Sequence, residues 1–334
     1  MDKIEIYIDE LLEKSTPDRP IWNIEKILQG LKSTWNYIDG CMIKAILEMY
    51  AITKDEKYFR FADNFIDCKV REDGSIEGYS VEELNIDNVN AGKTLFELYD
   101  LTGKEKYRKA IDLVYSQIEQ MPRTAEGNFW HKNIYPNQVW LDGLYMCQPF
   151  YMEYETRFHE KKNYDDIFRQ FFNVVEHMRD PKTGLYYHAY DSSREMFWCD
   201  KVTGLSQNFW LRALGWYSMA LLDTLDKADA SVGEPYERLK KVFVDLMDAM
   251  LKYQDASGMW YQVVNFGGME KNYLETSGSS IMAYALLKGV RLGFLPENYQ
   301  TYGAKAFHGI CEKYLSEDAD GSLHLDGICL VAGL

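Results

Sequence analysis

Basic runs are missing from this chain of 334 residues. Lysine and arginine total 37 against 52 aspartates and glutamates, a net charge of −15. Such a surface repels nucleic acid and anionic membranes, so neither is an expected partner. Proline is scarce, eight residues in all, which leaves long stretches free for helix. The six cysteines, Cys41, Cys68, Cys147, Cys199, Cys311 and Cys329, form no CxxC pair. Most lie in apolar helical stretches, which predicts reduced, buried thiols and a cytoplasmic setting rather than a disulfide framework. Six histidines and these scattered cysteines give no zinc spacing, so no metal is expected. No residue pattern hints at a cofactor. No apolar run approaches the length of a membrane span. The first residues, MDKIEIYIDELLEK, are charged throughout, which predicts no signal peptide.

Apolar and aromatic residues are plentiful, at 46% and 15%. That supports a sizeable core, as one large domain or two smaller ones. Several long segments carry apolar residues at helical spacing. A repeat is the stronger signal. AILEMYAITKDEKYFRFADNFID (45–67) realigns with TLFELYDLTGKEKYRKAIDLVYS (94–116). Each reads as an amphipathic helix, a short turn and a second amphipathic helix opened by Lys-Tyr. After each second helix comes a glycine turn, centred on Gly74, Gly127, Gly184, Gly258 and Gly321.

A first helix is expected over 2–14, then five helix pairs beginning near Tyr37, Asn85, Leu141, Trp210 and Glu275. The first member of each pair is rich in Gly, Ala, Met and Cys, which permits close packing on both sides and marks an inner helix. The second members are amphipathic and read as an outer layer. Five inner and six outer helices predict an all-α protein, an (α/α)6 barrel of helical hairpins forming a single domain over 1–334. On that count one inner helix is missing. Its place is after the turn that ends at residue 327, where the chain stops at ICLVAGL. An open α-solenoid also fits the repeats.

In a ring of hairpins all inner helices run the same way, so their N-termini gather at one mouth. Asp39, Asp87, Asp142, Arg212, Glu275 and Thr276 stand at those starts, and the preceding glycine turns bring Trp130, His131, Lys132, Tyr187, His188 and Asp191. Helix capping is the plain reading of the aspartates and accounts for Asp39. Asp142 is different. It is the only charged residue in NQVWLDGLYMCQPFY (137–151), and Trp140, Trp210, Trp216, Arg212, His131 and Lys132 would surround it. Tryptophan faces stack on sugars, and Arg and Lys pair with carboxylates, which points to a pocket for a small acidic sugar. Either histidine taken alone could be structural, and Trp22, Trp35, Trp198 and Trp260 are assigned to the core. Asp142 is the candidate proton donor. That role requires its carboxyl to be raised, by burial beside Trp140 and by a second carboxylate, Asp87.

Five ordered motifs, FWHKNIYPNQVWLDGLYMCQPFYMEYE, NIDNVNAGKTLFELYDLTG, YHAYDSS, FWLRALGWYSMALLD and ETSGSSIMAYALLKG, together resemble the unsaturated rhamnogalacturonyl hydrolases of glycoside hydrolase family 105. The likeness runs from about Trp22 to the end of the chain. It implies an (α/α)6 barrel, a cytosolic enzyme, and removal of a 4,5-unsaturated uronic acid from the non-reducing end of a pectin fragment. It also implies that Asp142 protonates C4 of the enol-ether double bond and helps water add at C5, after which the hemiketal opens and the aglycone leaves. No bond to the enzyme forms and no metal takes part. By the same resemblance Asp87 is the second carboxylate, and His131, Lys132, Trp140, His188, Trp210, Arg212 and Trp216 bind the sugar and its carboxylate. Relatives continue past VAGL with the segment that the helix count finds missing. Other readings stay open: the same chemistry on a glycosaminoglycan or ulvan fragment, another (α/α)6 enzyme such as an epimerase or an ordinary glycosidase, or a non-catalytic helical-repeat scaffold.

Overall fold

The computed structural model describes residues 3–331. The chain forms two compact units. The first runs to Pro122 and takes in Lys132–Ile134; the second takes in Arg123–His131 and the chain from Tyr135 onward.

The first unit holds α1 (Lys3–Glu13), α2 (Ile24–Gln29), α3 (Tyr37–Thr53), α4 (Glu56–Asp67), α5 (Lys93–Thr102) and α6 (Glu105–Gln120). Here α3 packs on α4 and α5 on α6, as the repeat predicts. Two points differ from the sequence reading. The short helix α2 was not expected. The second pair does not open directly as an α-helix, because Ile86–Gly92 forms 3-10 turns before α5 begins. That segment, IDNVNAG, is rich in Asn and Gly, which favour local side-chain hydrogen bonds and turns over regular helix.

The second unit holds β1 (Gln138–Trp140), α7 (Leu141–Phe158), α8 (Tyr164–Met178), β2 (Ala189–Asp191), α9 (Leu211–Lys227), α10 (Glu234–Leu251), α11 (Thr276–Arg291), α12 (Tyr299–Tyr314), β3 (Leu315–Glu317) and β4 (Leu323–Leu325). The all-α class is borne out: twelve α-helices stand against four three-residue strands among the described residues. Three hairpins, α7 with α8, α9 with α10 and α11 with α12, each close on themselves. The first helices of these hairpins also pack side by side, α7 on α9 and α9 on α11. Burial divides the helices as expected. On α7 and α9 most residues are buried, whereas α10 buries one face, with Leu239, Phe243, Leu246 and Met250. Trp35, Trp198 and Trp260 are core residues. After β4 no further helix is found among the described residues.

All five turn glycines have left-handed backbone, with φ of 87° at Gly74, 100° at Gly127, 79° at Gly184, 92° at Gly258 and 88° at Gly321. A side chain resists that region, which is why glycine recurs there.

Small residues let the inner helices approach. A Cβ placed on Gly278 would lie 2.4 Å from Leu211 Cγ and 3.1 Å from Arg212 N, where α11 crosses the start of α9. Gly278→Ala is therefore expected to lower stability by about 1–3 kcal/mol through overpacking, read as a lower urea midpoint. An unchanged midpoint would show that the two helices can part without cost.

Candidate active site

Three helix starts define the site in the second unit. Strand β1 pairs antiparallel with β2, with Trp140 opposite Ala189, and this register brings the start of α7 beside His188. Leu141 N, the first amide of α7, donates to His188 O at 3.0 Å. Asp142, one residue further, receives the imidazole: His188 Nε2 lies 3.0 Å from Asp142 Oδ2. The Asp142 side chain is 16% exposed and that of His188 5%.

Asp142 is not a cap. The N-cap of α7 is Trp140, with no side-chain capping bond, and Asp142 stands inside the first turn. Asp39 and Asp87 are not caps either; Asn36 and Asn85 cap their segments and accept from the amides of those aspartates. Capping was the expectation for Asp39, and the structure replaces it. Its buried carboxylate accepts from Ser33 Oγ at 2.5 Å, Asn36 Nδ2 at 2.8 Å, Trp22 Nε1 at 3.0 Å and Asn23 Nδ2 at 3.3 Å.

The charge state of Asp142 also departs from expectation. Burial pushes its carboxyl up, but the charge of His188, the hydrogen bond from it and the charge of His131 together outweigh burial, so the group titrates below its ordinary 3.8. Near neutral pH Asp142 is therefore a carboxylate paired with His188.

Aromatic rings surround this pair. Trp140 meets His188 edge-on at 5.5 Å, and Trp210 lies 4.9 Å from it. Trp140 also stacks on His131 at 4.5 Å with 6° between the planes, and on Tyr135 at 5.3 Å. Its indole N–H donates to Gln138 Oε1 at 3.0 Å, and His131 N donates to Gln138 O at 2.8 Å. Trp140 therefore holds His131 flat as well as lining the site. Trp216 is half-buried and stacks on Tyr145 at 5.0 Å. Trp210 is 93% buried, and its Nε1 has no hydrogen-bond partner among the described residues.

Arg212 stacks its guanidinium 4.6 Å over the Trp210 ring. It donates to Cys329 O, to Leu330 O at 3.2 Å and to Ser277 Oγ at 3.5 Å. Glu275 caps α11, accepting from Ser277 N and Gly278 N, and also accepts from Cys329 N at 3.0 Å. Cys329 and Leu330 are thus pinned across the starts of α9 and α11. A guanidinium carries five N–H donors, so these contacts leave capacity for a carboxylate.

Of the predicted residues, Asp142, His131, Trp140, His188, Trp210, Arg212 and Trp216 lie in the second unit. Asp87 and Lys132 lie in the first, joined by an ion pair of 2.7 Å. Lys132 was expected to bind the sugar's carboxylate and is here the partner of Asp87. Gln138 and Tyr135 were missed. A buried glutamine inside the apolar stretch QVWL was the available signal, since a buried amide needs partners.

Comparison with known proteins places this arrangement. The family described as Glycosyl Hydrolase Family 88 matches residues 13–334. A solved glycoside hydrolase of family 105 from C. acetobutylicum is 45% identical; the match covers 98% of this chain and 89% of that one, with a TM-score of 0.88. The unsaturated rhamnogalacturonyl hydrolase YesR of Bacillus subtilis is 27% identical over 294 residues, 86% of this chain and 79% of that protein. The fold is also that of an unsaturated glucuronyl hydrolase from Bacillus sp. GL1, which is responsible for the degradation of glycosaminoglycan, at 13% identity and a TM-score of 0.67 over 89% of this chain and 80% of that one.

Proposed function

The chain belongs to glycosyl hydrolase family 88 and, with the C. acetobutylicum enzyme, to family 105; it is a glycosidase, and from that premise we propose that it removes a 4,5-unsaturated uronic acid from a rhamnogalacturonan-derived oligosaccharide. The contact of Asp142 with His188 at 3.0 Å carries this reading. A carboxylate 3.0 Å from an imidazole and walled by tryptophans is placed to give up a proton once it holds one.

In the proposed reaction Asp142 delivers a proton to C4 of the double bond. Water adds at C5, giving a hemiketal. Its ring C5–O5 bond breaks to a ketone, and the hemiacetal at C1 then expels the aglycone. The net change consumes one water. Asp142 must be neutral at the first step, yet its carboxyl titrates below the ordinary value. The substrate resolves this conflict. Its own carboxylate, arriving beside Asp142, raises the Asp142 carboxyl by like-charge repulsion, so that Asp142 takes up the proton it delivers. Arg212, stacked on Trp210, supplies a cation for the incoming anion. Trp210 Nε1 supplies a donor; a buried N–H left without an acceptor costs about 1–3 kcal/mol, which a ligand oxygen relieves. Asp87 keeps the role of second carboxylate, and Lys132 that of carboxylate binder, on the resemblance alone.

The similarity to YesR supports rhamnose as the neighbouring sugar. Six free cysteines, three of them buried, fit a reducing cytoplasm, and no helix among the described residues is long and apolar enough to cross a membrane.

The test uses the conjugated ene-acid of the substrate, which absorbs in the ultraviolet and loses that absorbance on hydration. Unsaturated disaccharides from rhamnogalacturonan and from glycosaminoglycan are incubated with the protein. Loss of absorbance with the rhamnose-linked substrate is expected. Loss with the glycosaminoglycan product alone would move the substrate, and loss with neither would end the reading.

A further inference from the structure

The loop between β2 and α9 is bonded more heavily than a connector requires. Asp191, fully buried at its start, accepts from Ser193 N at 3.0 Å, Ser193 Oγ at 2.7 Å, Glu195 N at 2.8 Å and Met196 N at 2.9 Å. Asp200 accepts from Val202 N at 2.9 Å and Thr203 N at 2.7 Å. Lys201 Nζ donates to the carbonyls of Arg194, Glu195 and Met196. Gly204 closes the loop at φ 80°, where a Cβ would lie 2.5 Å from Asp191 O. These bonds fix the backbone from both ends.

The inner side of the loop joins the site. Trp198 and Cys199 are buried with Ala189, and Trp140 and Met196 pack on that cluster. Ala189 comes directly after His188, and Trp140 precedes Asp142 by two residues. The outer side presents Phe197 at 86% exposure and Val202 at 76%. Phe197 stands between Met196 and Trp198, both of which touch that cluster.

A flexible loop could fold an aromatic ring inward. This one holds it in water, which gives up the benefit of burying a phenyl ring. We propose that Phe197 is a stacking platform for the sugar attached to the uronic acid and so sets aglycone preference; the proposal rests on the unsaturated-uronide reading above. The backbone that carries the ring is fixed, its neighbours Met196 and Trp198 belong to the cluster on which Trp140 packs, and the exposed, charged Arg194, Glu195 and Lys201 lie close along the loop. A sugar has an apolar C–H face for the ring and hydroxyls for those charges. A protein partner would need on the order of 800 Å² of matching surface, far more than one ring and one valine provide.

The experiment compares wild type, Phe197→Ala and Phe197→Tyr on two substrates. One is a rhamnose-linked unsaturated disaccharide. The other is the methyl glycoside of the same unsaturated uronic acid, which has no second sugar. Wild type is expected to favour the disaccharide. Phe197→Ala is expected to lower the ratio of the two kcat/KM values about fivefold, through KM for the disaccharide, and Phe197→Tyr to restore it. An unchanged ratio with wild-type hydration of both substrates would overturn the platform and leave the uronide reading standing. If wild type hydrates neither, both fall. A change of mass on gel filtration in Phe197→Ala, with the ratio unchanged, would assign Phe197 to contact between copies and also overturn the proposal.

Discussion

Asp142→Asn is expected to lower kcat for loss of the ene-acid absorbance by about 1,000-fold, the range in which a positioned proton donor acts. Asparagine has nearly the same shape and can still meet His188 Nε2, so the packing of Trp140 and Trp210 against the imidazole should survive. KM should therefore move far less than kcat, the pattern of a contact that matters in the transition state. Wild-type kcat in this variant would remove Asp142 from the chemistry. The variant also has a pH signature. Asp142 titrates below 3.8 in the native protein, so its pairing with His188 stabilises the fold above the unfolded carboxylate range. That stability is lost as pH falls through the lowered native value. An acid-unfolding curve of Asp142→Asn should lack this component and so be flatter at low pH than that of wild type.

Asp39→Ala is expected to destabilise the first unit by about 3–5 kcal/mol, the cost of leaving a buried polar cluster without its charged centre. Asp39 is 3% exposed and gathers donors from Trp22, Asn23, Ser33 and Asn36. Trp22 Nε1 and Ser33 Oγ would lose their acceptor, while Asn36 Nδ2 keeps Thr34 O at 2.8 Å and Asn23 Nδ2 keeps only contacts of 3.4 Å. Lys69, 5% exposed, would also lose a nearby negative charge; burial already pulls its ammonium below the ordinary range, and the charge of Asp39 is the first influence that offsets it. Asp39→Asn keeps part of the hydrogen bonding and should fall between alanine and wild type. The urea midpoint for unfolding of the first unit measures both. A midpoint within error of wild type in Asp39→Ala would show that water fills the cluster without loss.

These two aspartates show how far sequence reading reached. Both stand where apolar-Asp patterns announce a helix start, and α3 and α7 begin at Tyr37 and Leu141 as read. Their environments were not legible. The partners of Asp39 come from a stretch around α2, a six-residue helix too short to show periodicity. His188 reaches Asp142 across 46 residues because Trp140 pairs with Ala189, and strand register is a non-local fact. The lowered carboxyl is a result of that pairing, so expecting a raised one was the natural error of treating burial and Asp87 without His188. Arg212 was read as a cation for the substrate. Its grip on the carbonyls of Cys329 and Leu330, 117 and 118 residues away, has no local signature. The glycine turns were legible because each needs one particular residue at one backbone angle, a demand that a single position records.

Each helical hairpin packs upon itself, from α3 with α4 to α11 with α12. The contacts within a hairpin join residues close together along the polypeptide, and the packing of α7 on α9 and of α9 on α11 is added to them. Closing such short segments forfeits little chain freedom. Assembly can begin in a hairpin soon after it leaves the ribosome, and the side-by-side packing of α7, α9 and α11 then joins one hairpin to the next.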